Sequence, residues 1–439
     1  MTNILFCFLF FLTPVAIWFL LKLAGERINQ VSVLNITTIS IYIFSVLGLF
    51  PLFYQWDKYR VEIGINNPNQ VFIVLLCSFT GLVFFLAGAI FLRKIFGLIP
   101  YSVISSNIQP LKKINFISLL LAFGLVMAVL ALYLTKIEQV ALFVALQDGS
   151  EAASLSRSNM GNNFPHHHWY KLIMQDLGTI VSLSFFTLWL QKKTFFRLTL
   201  FLSALSIATF VAVMSTEKFP FVILLIALFM NYYLVRKNGF IPKKSIVFLG
   251  VGVLLILIVF YIFFSGSSNV KNAIYSIFSR AFAGSISPAY FYLEYVPFAH
   301  DFFWFKTFPN PGSIFPYKSI QYTVEIMNWK FPEAAEKGVV GSMPTVFWGE
   351  AYLNFGFLGI PIVAFIIGCY VEWIAYLVSK LQLNAISIAF IIWIIFHFMT
   401  LAITGFSGFL YDFYLIGISL IILTILFVAK LNFSKPNYL

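Results

Sequence analysis

Eleven separate runs of about 20 mostly apolar residues punctuate this chain, and a helix of that length matches the hydrocarbon core of a bilayer. They fall at roughly 3–23, 31–54, 70–92, 114–135, 171–191, 195–214, 219–235, 246–264, 350–372, 386–404 and 409–429. The run at 219–235 is short, but Pro220 is tolerated at a helix start. Composition agrees with the runs. Of 439 residues, 61% are hydrophobic and only 10% are charged, with a mean hydropathy of +0.93. A water-facing domain needs a polar skin that such a composition does not supply. Soluble globular, disordered, collagen-like and disulfide-scaffold classes are therefore excluded. The expectation is an all-α polytopic membrane protein, one integral membrane domain over 1–439.

Charge orients the bundle. The first run lacks a basic leading segment, and its first charge, Lys22, follows the apolar stretch. It reads as a retained helix that enters from outside. With the N-terminus outside, alternate connections divide the 28 basic residues into 16 inside and 12 outside. Six of those 12 lie in one long connection, where the rule is weak, so short connections contrast 16 with 6. Of the 16 acids, only Glu26 and Glu372 fall inside. The net charge of +12 thus resolves into +14 within and −2 without, an N-out, C-in topology with the basic face beside anionic lipid heads. This distribution argues for topology and against a nucleic-acid partner. Cys7, Cys77 and Cys369 sit in apolar runs, without a CxxC, and read as small buried hydrophobes.

Two outer connections are long, about 136–170 and 265–349, and long connections outside compact spans are usually functional. No internal repeat is present, which removes one cue for a transporter. In the first connection, Ile137, Val140, Ala141 and Val144 share a helical face, and a polar Ser/Asn/Gly-rich stretch follows, centred on Arg157. The outer arginines are Arg60, Arg157 and Arg280; lysine supplies the other nine outer cations. Arginine's planar fork suits bidentate phosphate recognition, whereas lysine acts more as a point charge; by itself Arg157 reads equally as a solvated loop charge. Consecutive histidines His166, His167 and His168 do not converge on a helix and alternate faces on a strand, a poor spacing for a metal. No DxD pair lies outside, so no metal or other cofactor is expected; one of the histidines can act as a base.

The second long connection opens with Ile274, Ile277, Phe278, Ala281 and Phe282 at helical spacing, an amphipathic surface helix ending near Gly284 and Pro288, with Arg280 off the stripe. PAYFYLEYVPF follows, dense in aromatics that suit a membrane interface or a sugar face. Pro-rich KTFPNPGSIFPYK cannot be helical and suits a lid or rim. Gly341, Gly349, Gly356 and Gly359 permit a close backbone approach or a broken helix, and Glu350 sits where the chain re-enters the bilayer. There it caps a helix N-terminus, serves as a base, or partners an active-site arginine. Lys218, in the short STEKFP turn, is expected to face a protein cavity rather than lipid, and Asp176, His397 and Asp412, inside apolar runs, are expected to pair internally.

The run GSMPTVFWGEAYLNFGFLGI resembles the signature region of the Wzy-type oligosaccharide repeat-unit polymerases, the O-antigen and capsule polymerases, through Pro344, Thr345, Gly349, Glu350, Tyr352, Asn354, Phe355 and Gly356. Ser215 to Pro220 resembles that family's short Lys-containing turn, and Ser279–Phe282 its arginine-bearing loop start. The motif likeness spans roughly residues 150–360. The resemblance implies a GT-C-like bundle in a bacterial inner membrane, with its active site facing the periplasm. It implies glycosyl transfer between undecaprenyl-diphosphate-linked oligosaccharides, donor and acceptor, beside membrane lipid and a chain-length-regulating co-polymerase. Arg157, Arg280 and Lys218 are the expected diphosphate contacts, and Glu350, His167 and His168 the candidate bases. Tyr290, Tyr292, Tyr352 and Asn354 are the candidate glycan contacts. An O-antigen ligase uses the same donor; a lipid-linked oligosaccharide flippase is the transporter alternative, but should carry polar groups through both membrane halves.

Overall fold

A computed structural model describes residues 2–97, 108–161, 164–264, 269–336 and 341–431. Lys337 and Lys435, both counted in the charge division, lie outside those residues, as do parts of both long connections (162–163, 265–268 and 337–340). The described chain is helical, without a named strand; Gln30 and Phe240 form an isolated bridge. Eleven helices are long and apolar enough to cross a membrane: Thr2–Leu23, Val33–Phe53, Pro68–Phe96, Lys113–Leu134, His167–Gln191, Phe195–Val213, Lys218–Lys237, Lys243–Ile262, Phe347–Ser379, Ala385–Ala402 and Ser407–Val428. They are called the first to eleventh spans below.

The third and ninth spans form the spine. Two glycines let their backbones touch: a Cβ on Gly88 would strike the Phe365 carbonyl, and one on Gly368 the Phe85 carbonyl. Small residues at such a crossing are how membrane helices gain close packing without a hydrophobic drive. The third span starts cleanly because Asn67 caps it and Pro68 takes a first-turn position, where its missing N–H is harmless. At the opposite end of this pair, Arg93 bridges Glu26 and Glu372, at 2.6 Å to each, with all three side chains buried. The tenth span is the innermost, 83% buried, and begins at a capping box between Asn384 and Ser387. The eighth is peripheral at 6%.

Two local features depart from expectation, and a third takes a form that the glycines permit. The polar stretch around Arg157 is a helix, Ser150–Met160, following Gly149. It holds because Ala153, Ser156 and Met160 form a buried face, with the Met160 carbonyl accepting from the Tyr133 hydroxyl at 2.6 Å. The amphipathic helix of the second connection does not stop near Gly284. Val270–Phe278 runs through a π-helical turn, Ser279–Ala283, into Gly284–Tyr295, with Pro288 inside. The π turn absorbs a register shift, and the Gly284 carbonyl, which loses the Pro288 N–H as donor, accepts from the Ser287 hydroxyl at 3.3 Å. The ninth helix is 33 residues long, and it is interrupted at Gly356, whose φ of 67° with ψ of −160° is a glycine conformation. Phe347–Phe355 is thus a short segment at the base of the long connection, the broken helix that the glycines permitted.

Candidate functional site

Four cations from four different connections meet where the long loops lie. Asp57 organises the first of them. It caps the short helix Lys58–Glu62 by accepting from the Arg60 N–H, and it accepts from the Tyr275 hydroxyl at 3.1 Å and the Ser279 hydroxyl at 2.5 Å. One carboxylate therefore ties the segment just past the second span to the helix that carries Arg280. Gly48 seals the same junction: a Cβ there would overlap the Phe282 carbonyl. The arrangement places Arg280 on the π-helical turn with its side chain exposed, one turn from Gly284. Arg60 lies against Gly284, where a Cβ would come within 2.9 Å of a guanidinium nitrogen, and its Nε is buried without a hydrogen-bond partner. Burial pushes the Arg60 pKa below its ordinary value; Asp57 and Tyr59 oppose the shift and Arg280 adds to it. Arg280 and Arg157 are both within electrostatic reach of Lys218, whose ammonium sits 3.4 Å from the Tyr261 ring centroid. Among the described residues, none of these three arginines forms an ion pair with a carboxylate.

Arg157 connects this cluster to a cavity. Its helix ends at Gly161, whose N–H bonds to the Arg157 carbonyl. Gly161 also lines a cavity of about 460 Å³, together with His166, His167 and His168 from one side and Gln321, Val324 and Ser342 from the second connection. The two long connections thus face one another across this space. The three histidines share it because His166 adopts a left-handed conformation (φ 57°) just before the fifth span, so the chain turns between them. His168 Nδ1 meets the Tyr414 hydroxyl at 2.9 Å, and His167 Nδ1 is buried without a partner. No group of three metal-ligating side chains occurs among the described residues.

Glu350 occupies different ground. It is 1% exposed; Oε1 accepts from the Thr307 hydroxyl at 2.6 Å and Oε2 from the Ser407 N–H at 2.9 Å. Asn354, one turn on, accepts from the Phe305 N–H at 2.9 Å and donates to Thr307 Oγ1 at 2.8 Å. Two side chains on one helical face therefore grip the strip 305–307 of the second connection. Tyr292 and Tyr352 also have their hydroxyls engaged, on the Met343 carbonyl at 2.6 Å and the Val296 carbonyl at 2.8 Å. Burial and the Glu350 charge raise the Tyr292 phenol well above its ordinary pKa. Tyr290 is buried beside Glu294, and burial raises both pKa values, with Glu294 adding to the Tyr290 shift. The residues drawn from the signature run thus build the root of the loop. The histidines line the cavity between the long connections, and Arg157 and Arg280 are exposed.

Of the intramembrane ionisable groups, His397 bonds Asp412, and Asp176 accepts from the Trp393 indole at 3.0 Å, so they pair internally as expected. Arg60 was visible in sequence only as one of three outer arginines. Its signal was the Asp-x-x-Arg spacing that caps and orients its short helix. No protein-family model, curated protein or solved structure matches the chain.

Proposed function

We propose that this protein is a glycosyltransferase that polymerises undecaprenyl-diphosphate-linked oligosaccharide repeat units into a surface polysaccharide, an O-antigen or capsule. The observation that carries the reading is the meeting of Arg60, Arg157, Arg280 and Lys218 from four connections. In the reaction, an acceptor hydroxyl forms a bond to the anomeric carbon of the donor glycan. The bond from that carbon to the diphosphate oxygen breaks, and its electron pair leaves with undecaprenyl diphosphate. Negative charge grows on the departing diphosphate, and cations held ready in a partly dry site stabilise it without reorganisation. Arg157 and Arg280 are exposed and reach the diphosphate; Arg60 and Lys218, half-buried, supply field from behind. The hydroxyl proton passes to His167 or His168, which line the adjoining cavity. Glu350 holds the loop root that sets the cavity wall. The donor brings its own activation, so the reading needs no nucleotide, metal or other cofactor. It carries with it a GT-C-like bundle, an N-out, C-in topology in a bacterial inner membrane, a periplasmic site and a chain-length-regulating co-polymerase.

Gene deletion followed by electrophoresis of the surface glycan tests this. Anchors bearing a single repeat unit, restored to long chains by the intact gene, are the expected result. Polymer accumulating on undecaprenyl with none on its final anchor would mean a ligase. Repeat units trapped on the inner leaflet would mean a flippase.

A further inference from the structure

The opposite end of the bundle holds a second cavity, of about 390 Å³ and lined by cations, where the fifth and seventh spans end and the sixth begins. Lys192, Arg197 and Arg236 line its polar side; Leu111, Phe116 and Val235 line its apolar side. The arginines are held in place by the backbone. The carbonyls of the last turn of the fifth span run short of helical donors, and the Leu188 carbonyl takes its helical bond from the Lys192 N–H at 3.2 Å. Arg197 donates to the Leu188 carbonyl at 2.9 Å, and Arg236 donates to the Leu190 carbonyl. Each guanidinium has five N–H donors in a fixed fork, so donors remain for a ligand after this contact. Lys192, in extended conformation just past the helix end, adds a third charge.

Among the described residues, no carboxylate lines this cavity. The only acids that the sequence assigns to this face are Glu26 and Glu372, and both are bonded to Arg93 in the buried triad. The local positive charge therefore lacks a protein anion to balance it. An amphipathic ligand fits such a wall: a phosphate against the cations and a chain along Leu111 and Phe116. Basic pockets between spans at a membrane face suit anionic headgroups.

We propose that this cavity binds a phosphate-bearing anion at the end of the bundle away from the long loops, with an anionic phospholipid headgroup and a free phosphate as the two sources of that chemistry. The purified full-length chain, stripped of lipid in detergent, is titrated with phosphatidylglycerol, with phosphatidylcholine and with inorganic phosphate, and bound species are counted by native mass spectrometry. Retention of phosphatidylglycerol over phosphatidylcholine identifies a lipid site; binding of inorganic phosphate that displaces the lipid identifies a phosphate site. Lys192→Gln, Arg197→Gln and Arg236→Gln remove charge while keeping an amide donor for the carbonyls. Each is expected to weaken binding about fivefold. Lys192 reaches the Leu188 carbonyl through its backbone N–H, at 3.2 Å, which a substitution keeps, so Lys192→Gln reads the side-chain charge alone if the arginine variants lose their thermal transition. Equal retention of both lipids with no phosphate binding overturns the proposal, as does unchanged binding in a folded Lys192→Gln, Arg236→Gln double variant.

Discussion

Two groups of arginines stand at opposite ends of this bundle, and their surroundings differ in kind. Arg93 is buried, bidentate to Glu372, and bonded also to Glu26 and to the Ala24 carbonyl at 2.6 Å. Its charge is cancelled inside the protein, and it joins the first, third and ninth spans. Arg60, Arg157 and Arg280 gather with Lys218, repel one another, and form no described ion pair. A fold gains nothing from collecting like charges. Arg93 is therefore an architectural residue, whereas the loop arginines, under the proposed function, are charges held for an anionic substrate. Pairing, more than residue type or position, separates the two.

The comparison is sharpest where it is broken. Arg93→Met leaves two buried carboxylates without their partner, and removing one member of a buried ion pair costs about 3–5 kcal/mol. Thermal unfolding in detergent should show that loss, together with poor yield. If Arg93→Met unfolds like the parent, the architectural reading of the triad is wrong. Arg157→Ala and Arg280→Ala should do the reverse. Thermal stability is expected to stay at the parent value, while polymer formation falls about 10²–10³-fold for each, the usual loss of a preorganised charge donor. Long chains persisting in both variants would remove the diphosphate role. Glu350→Gln tests the loop root. Its amide cannot accept from both Thr307 and the Ser407 N–H, and leaving a buried group unsatisfied costs about 1–3 kcal/mol. Faster protease nicking near 303–307 with a lowered Tm supports anchoring; lost activity at an unchanged Tm supports a base instead. The smallest effect belongs to Asp57→Asn, which weakens two hydroxyl contacts and is expected to cost about 0.5–1.5 kcal/mol. Its diagnostic is a fall in polymer length as Arg280 loosens, measured on gels against the Tm of the same preparation.

The span count was legible in the sequence because spanning depends on apolar length along one dimension. The predicted runs and the helices of the structure coincide in number, and they differ mainly at their ends. The fifth helix begins at His167 rather than near 171, and the ninth extends from Phe347 to Ser379. Features within the long connections were less legible. The segment around Arg157 has the composition of a loop, and its helix is held by contacts with Tyr133 and Gln139, at 2.6 and 3.2 Å, from other parts of the chain. Gly284 and Pro288 carry strong stop signals, yet a π-helical turn and the Ser287 hydroxyl carry the helix through them. The Arg157, Arg280 and Lys218 set was picked from residue chemistry together with the family resemblance, and the structure brings those side chains within electrostatic range. Arg60 could not be assigned to the set from its neighbours, because more than 200 residues separate it from Arg280.

The sequence by itself determined that this chain is a bundle of eleven apolar helices with a basic excess at one end, since hydropathy and charge are properties of local segments. Tertiary structure alone decided which of the charged and aromatic residues in the long connections are accessible. Glu350 and Tyr352 of the signature run, and Tyr292 outside it, turned inward because their polar atoms found main-chain or hydroxyl partners at the loop root. Arg60 and Arg280 came together because Asp57, Gly48 and the π-helical turn bring distant segments into contact. Such convergence depends on close packing between segments remote in the chain, which no local pattern encodes.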